Sequence, residues 1–143
     1  MITTVDVETS YQKTETGGYD PSPFHPDNIL VSVGINDEYY FTNHSERIDE
    51  GCYHKIQAIL DKTTLLVGHN IKFDLMWLLE SGFKYSGRVY DTMLGEYILN
   101  RGVRKSLTLE MCCRRRKIGS KDSSVKEYMD RGCLLYTSPS PRD

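Results

Sequence analysis

The chain has 143 residues, 38% of them hydrophobic and 27% charged, with a formal net charge of −2 at pH 7. This is the size and composition of one globular domain, and no apolar run approaches the roughly 20 residues that a membrane helix needs. The composition therefore excludes a membrane span, and no membrane partner is expected. No basic stretch followed by an apolar one stands near the start, which predicts a cytoplasmic location.

The first part of the chain has the pattern of antiparallel strands. Residues 3–7 alternate as a strand does, and residues 11–28, with two glycines and three prolines, indicate a long irregular connection. Residues 29–35 and 38–42 flank Asn36-Asp37, which predicts a hairpin although Asn-Asp is weaker turn chemistry than Asn-Gly. Three antiparallel strands are expected.

Helices and strands then alternate along the chain. Hydrophobic spacing predicts a helix over 48–62, a buried strand over 64–68, a helix apolar nearly all round over 70–81, a strand over 88–90, a helix over 92–99 and a helix beginning at Ser106. Strands in hairpins followed by this alternation predict a mixed α/β, ribonuclease H-like sheet. Its first three strands are antiparallel, the later ones are parallel, and helices flank it.

Two acidic residues of the first strand, Asp6 and Glu8, stand at positions i and i+2. Because side chains alternate along a strand, both carboxylates project from the same face. Two ionised carboxylates near a core are costly without a metal or a basic partner. The pair is consistent with a metal site, but Asp-x-Glu is common by chance, and an exposed strand face with two solvated acids is the alternative.

Asp74 is the one acid in the apolar helical run of residues 71–79. A helix of this kind is buried, so its acid must be neutralised, paired or bound to a metal. A structural salt bridge, to Lys72 or a distant arginine, and a ligand role are both open. Asn70 is predicted to be the N-cap of this helix, even if it also touches substrate.

Together these segments resemble the DEDD family of 3'-5' exonucleases. Residues 5–9, Val-Asp-Val-Glu-Thr, look like its first motif, and residues 70–74, Asn-Ile-Lys-Phe-Asp, look like its second. Residues 90–100 are similar to the corresponding stretch of bacterial DNA polymerase I, and Ser106-Leu107 to the helix start after it. The resemblance spans roughly residues 3–132 and implies the proofreading domain of a family A, phage-type DNA polymerase.

The resemblance implies hydrolysis of DNA from its 3' end to nucleoside monophosphates with two divalent cations, Mg²⁺ or Mn²⁺, as cofactors. By resemblance Asp6 bridges both metals, Glu8 binds the metal that activates water, and Asp74 holds the second metal. The implied partners are the 3' end of single-stranded DNA and a polymerase domain covalently linked in the intact parent.

Three further residues match motif positions that line the site of the 3'-terminal nucleotide in this family. They are Thr9, Asn70 and Phe73. For Phe73, core packing is favoured over base stacking because of the apolar helix around it.

The chain departs from the family at the third motif. Neither Tyr-x-x-x-Asp nor His-x-x-x-x-Asp occurs after Asp91, which is itself predicted to be the N-cap of the helix starting at Thr92. We therefore expect residues 1–132 to be an exonuclease domain truncated before its third motif, and weak or inactive in isolation. Residues 133–143 look like a non-native tail translated from a sequencing adapter.

A basic run precedes the predicted end of the domain. Seven basic residues lie between Arg101 and Lys117 against one acid, Glu110. Residues 114–117 could contact DNA phosphates or form a solvated helix face, and both interpretations are open.

Two other functions are compatible with the motifs. A ribonuclease D-like or Werner-type exonuclease shares the first two motifs and acts on RNA or structured DNA. A catalytically inactive nucleic-acid-binding fragment is the alternative from a different class, although the retained charges of Asp6, Glu8 and Asp74 among apolar neighbours argue against it.

Overall fold

The computed structural model describes residues 1–42 and 48–119. Its strands are β1 (Ile2–Thr9), β2 (Gln12–Lys13), β3 (Tyr19–Asp20), β4 (Leu30–Ile35), β5 (Glu38–Phe41), β6 (Leu65–Gly68) and β7 (Arg88–Asp91). Its helices are α1 (Glu50–Lys62), α2 (Ile71–Glu80), α3 (Thr92–Leu99) and α4 (Leu109–Arg116). The suspected tail of residues 133–143 lies outside the described residues.

Five of these strands form one mixed sheet in the order β5-β4-β1-β6-β7. The β1–β4 and β4–β5 pairs are antiparallel, whereas β1–β6 and β6–β7 are parallel. The predicted mixed α/β, ribonuclease H-like fold is confirmed. Within residues 1–42 and 48–119, no helix has the length and hydrophobicity to cross a bilayer.

The β4–β5 hairpin turns at Asn36, as predicted. Asn36 has a φ of 53°, a left-handed conformation that asparagine adopts more readily than most residues. Its side-chain Oδ1 accepts a hydrogen bond from the Thr4 N–H at 3.0 Å. The turn residue therefore also ties the hairpin to β1, which compensates for the weak turn chemistry of Asn-Asp.

One face of the sheet carries the hydrophobic core. Val5 and Val7 of β1 lie opposite Ile35 and Val33 of β4, so their side chains share a face. The residues of the core cluster are Val5, Val7, Leu30, Val33, Ile35, Ile56, Leu60, Leu66, Ile71, Trp77, Leu78 and Phe83. Because strand side chains alternate, Asp6 and Glu8 project from the opposite face, where Asp6 is exposed and Glu8 is half-buried.

Helix α2 is not buried all round, contrary to the sequence prediction. Its buried residues are Ile71, Asp74, Trp77 and Leu78, while Leu79 is 46% exposed. The buried positions recur at the spacing of one helical face, because α2 packs on the sheet from a single side.

The long connection after β1 is also more ordered than predicted. It contains the two-stranded β2–β3 hairpin, and the Trp77 Nε1–H of α2 donates to the Pro21 carbonyl at 3.0 Å. At its base, Ser10 Oγ accepts a hydrogen bond from the Ile29 N–H at 2.7 Å. The connection is thus attached to the helix that carries Asp74.

The predicted helix start at Ser106 is wrong by three residues. Helix α4 begins at Leu109, and the Thr108 hydroxyl caps it by accepting from the Met111 N–H at 3.3 Å. Serine and threonine are both good N-caps, so the local sequence did not distinguish the two starts.

Candidate functional site

The candidate site begins at the C-terminal half of β1. Strand β6 pairs only with residues 2–4 of β1, so in the described part of the chain the next residues of β1 have no strand beside them on that side. Asp74 lies there instead. It is fully buried, and its Oδ1 accepts a hydrogen bond from the Val7 N–H at 2.9 Å.

This contact places the buried acid beside the strand that carries the other two carboxylates. Val7 stands between Asp6 and Glu8, so Asp74 meets the β1 backbone between them. In residues 1–42 and 48–119, however, no group of three or more His, Cys, Asp or Glu side chains is arranged so that it could hold a metal ion. The roles of Asp6, Glu8 and Asp74 as metal ligands stay predictions.

Asn70 occupies the N-cap position of α2, as predicted, but its side chain makes no capping hydrogen bond. Its backbone is left-handed, with φ 61° and ψ 50°. Asparagine adopts this conformation more readily than most residues, and the helix begins here without a capping bond from the side chain. The side chain of Asn70 is therefore not engaged in starting the helix.

The other two predicted substrate residues differ in exposure. Phe73 is half-buried and packs against the core, in agreement with the core-packing alternative. Thr9 is fully buried, and among the described residues its Oγ1 has no hydrogen-bond partner. Their contacts with a nucleotide stay predictions.

Polar residues near Asn70 make contacts that were not predicted from the sequence. Asp91 is the N-cap of α3, as predicted, and its Oδ1 accepts from both the Met93 N–H and the Asn70 N–H, each at 2.9 Å. His69 is buried, with Nδ1 2.9 Å from Thr92 Oγ1. A polar residue that directly follows a buried strand is expected to need hydrogen-bond partners, but the sequence does not show which residues they are.

The histidine also reaches the segment before α4. Its Nε2 lies 2.6 Å from the Leu107 carbonyl oxygen. A carbonyl oxygen only accepts hydrogen bonds, so the Nε2–H of His69 donates to it. His69 thereby connects the turn before α2 to two later parts of the chain.

Three arginines of the basic run, Arg114, Arg115 and Arg116, pair with acidic side chains. Glu96 of α3 pairs with Arg116 at 2.7 Å and with Arg115 at 3.4 Å, and Glu110 pairs with Arg114 at 2.7 Å. Only Glu110 was counted as an acid within the basic run. Glu96 was not considered, because it stands about 20 residues before the arginines that it contacts.

The charge on Glu96 is stabilised by this arrangement. The hydrogen bond from Arg116 lowers the pKa of the Glu96 carboxyl and outweighs burial, which acts in the opposite direction. The positive charge of Arg116 and the contact with Arg115 lower the pKa further. Glu96 is thus ionised and holds α4 through its ion pairs with Arg115 and Arg116.

Comparison with known proteins identifies one family. A family model described as 3'-5' exonuclease, of the DNA polymerase A type, matches residues 11–133. The matched range includes Asn70, Phe73 and Asp74 and leaves out Asp6 and Glu8. No curated protein matches the chain at a significant level.

Proposed function

We propose that this chain, which belongs to the 3'-5' exonuclease family of the DNA polymerase A type, hydrolyses single-stranded DNA from its 3' end and serves a DNA polymerase as its proofreading domain. The observation that carries the proposal is the fully buried Asp74, whose Oδ1 lies 2.9 Å from the Val7 nitrogen, between Asp6 and Glu8. A fully buried carboxylate is costly, and a functional role explains why the chain keeps Asp74 next to the strand that carries Asp6 and Glu8.

The chemistry of the donors fits a hard divalent cation. Asp6, Glu8 and Asp74 offer carboxylate oxygens, the ligands that Mg²⁺ and Mn²⁺ prefer. We propose that Asp6, Glu8 and Asp74 would together hold the divalent ions. When bound, the ions would lower the pKa of a water molecule and offset charge that develops on the phosphodiester.

Asn70 and Phe73 support a nucleotide site next to these acids. Both belong to the first turn region of α2, which also carries Asp74, and the Asn70 side chain makes no capping bond. We propose that Asn70 and Phe73 contact the terminal nucleotide, with Thr9 at the end of β1 completing the site. The polymerase-type family match favours DNA over the RNA substrate of a ribonuclease D-like enzyme.

The test uses the full-length product of the source gene with Mg²⁺ and single-stranded DNA labelled at its 5' end. We expect stepwise shortening from the 3' end with release of nucleoside monophosphates. Asp6→Ala and Asp74→Asn should each lower the rate on the order of 10²-fold or more, the size of effect seen when one group that stabilises transition-state charge is removed. Glu80→Gln is the matched control, because it changes an exposed acid of the same helix.

Two further measurements use the 143-residue chain alone and an RNA substrate. The 143-residue chain alone should be weak or inactive, as expected if the family's third motif is encoded further along the gene. Single-stranded RNA should be a poorer substrate than DNA. No shortening of either nucleic acid by the full-length product, or equal rates for wild type and Asp6→Ala, would contradict the proposal.

A further inference from the structure

A single carboxylate joins the beginnings of two helices. Asp91 is the last residue of β7 and lies opposite Gly68, the last residue of β6. Its Oδ1 accepts from the Met93 N–H in the first turn of α3 and from the Asn70 N–H just before α2, each at 2.9 Å. The negative charge stands where both helix dipoles favour it.

Capping α3 does not by itself require this residue. An N-cap needs one acceptor for a backbone N–H of the first turn, and serine, threonine or asparagine supply it about as well as aspartate. The second bond, to Asn70, is the additional feature. It holds the backbone of a residue whose φ of 61° is left-handed.

Neighbouring bonds hold the same turn. Thr92 Oγ1 donates to the Gly68 carbonyl oxygen at 3.2 Å. The turn is also closely packed, because a Cβ added at Gly68 would lie 3.1 Å from the Ile71 side chain and 3.3 Å from the Val5 carbonyl oxygen. The end of β6, the turn and the start of α2 therefore have little room to shift independently.

The start of α2 in turn determines where the candidate site residues lie. Asn70 precedes the helix, and Asp74 follows within its first turn, where it meets the Val7 N–H. We propose that Asp91 is a positioning residue for the exonuclease reaction, which acts through the Asn70 backbone to set the positions of Asn70 and Asp74 beside β1. This inference rests on the proposed function.

The experiment separates positioning from capping with two substitutions in the full-length gene product. Asp91→Asn keeps an Oδ1 that can accept both bonds, whereas Asp91→Ser keeps a cap for α3 but is too short to reach both partners. We expect kcat/KM on single-stranded DNA to stay within about threefold of wild type for Asp91→Asn and to fall about tenfold or more for Asp91→Ser, measured well below the unfolding transition of each variant.

Thr108→Ala is the matched control, because it removes the N-cap of α4, which carries none of the candidate site residues. It should lower the melting temperature without changing kcat/KM. Wild-type kcat/KM in Asp91→Ser, or an equal loss of kcat/KM in Asp91→Ser and Thr108→Ala, would overturn the inference.

Amide hydrogen exchange at Asn70 supplies a readout that does not depend on activity. Asp91→Ser should speed exchange of the Asn70 amide about tenfold or more, and Asp91→Asn should not. Unchanged Asn70 exchange in Asp91→Ser overturns the positioning contact. An inactive wild type with faster Asn70 exchange in Asp91→Ser would overturn the proposed function and the catalytic part of the inference, while the contact itself would stand.

Discussion

The junction of β1 with α2 and the pair formed by α3 and α4 are built in different ways. At the first, Trp77 and Leu78 of α2 are almost completely buried against the sheet. In α3 the one residue classed as buried is Glu96, at 9% exposure, while Ile98 and Leu99 are each more than 60% exposed. Helix α4 is joined to α3 through the arginines that pair with Glu96.

The two regions differ in the interactions that stabilise them, and therefore in how their stability responds to pH and salt. Buried hydrophobic area stabilises the β1–α2 junction, and this stabilisation does not involve charges that titrate or are screened by salt. Ion pairs near the surface contribute less and are screened by salt. The candidate site therefore rests on the part that is harder to perturb, and the α3–α4 pair should respond to solution conditions.

The largest expected effect comes from two adjacent leucines of α2. Leu78 is fully buried and Leu79 is 46% exposed. Leu78→Ala should lower the free energy of unfolding by about 2–5 kcal/mol, because it removes buried methyl groups and leaves a cavity. Leu79→Ala should cost less than about 1 kcal/mol. Urea denaturation followed by circular dichroism measures the free energy of unfolding of both variants. Equal losses in the two variants would contradict the difference in burial between Leu78 and Leu79.

The link between α2 and the long connection after β1 provides the next test. Trp77→Phe keeps a buried ring but removes the Nε1–H that donates to Pro21, so we expect a loss of about 1–3 kcal/mol. Amide exchange over residues 10–29 should become faster. Tyr85→Phe, which removes an exposed hydrogen bond to the Arg88 carbonyl, is the control and should cost less. Unchanged exchange in Trp77→Phe would show that the contact does not hold the connection.

At the α3–α4 pair, Glu96→Gln should lower the free energy of unfolding by about 1 kcal/mol at pH 7. The pKa of Glu96 is lower in the folded state, so its stabilisation is present above the unfolded value of about 4.3 and is lost as the pH falls through the folded pKa. The difference between wild type and Glu96→Gln should therefore disappear in acid.

Glu110→Gln is the control for this pH dependence. Its pair with Arg114 is exposed on both sides, so the substitution should change stability by less than about 0.5 kcal/mol. A wild-type advantage over Glu96→Gln that does not shrink as the pH falls below the unfolded pKa of about 4.3 would contradict an ionised Glu96. Denaturation in urea at a series of pH values measures both effects.

The smallest expected effect is at the exposed surface of α3. Ile98 is 65% exposed, so Ile98→Ala removes little buried area and introduces a better helix former. We expect a change of less than about 0.5 kcal/mol, against about 2–5 kcal/mol for Ile56→Ala in the core. A large cost at Ile98 would show that this surface is covered in solution.

Local patterns in the sequence determined most of the fold. The alternation of Val5 and Val7 with Asp6 and Glu8 decides which face of β1 is buried, because strand side chains alternate. The Asn36 turn and the Asp91 cap were both correctly predicted. The start of α4 was not, since Ser106 and Thr108 have similar capping chemistry.

Contacts between residues far apart in the chain were decided only by the tertiary structure. Asp74 meets Val7 across 67 residues, Asp91 meets Asn70 across 21, and Arg116 meets Glu96 across 20. The composition of α2 showed that Asp74 needed a partner but not which one. Periodicity reports the face on which a residue lies, whereas its partner depends on how strands and helices pack, and this is a property of the whole sheet.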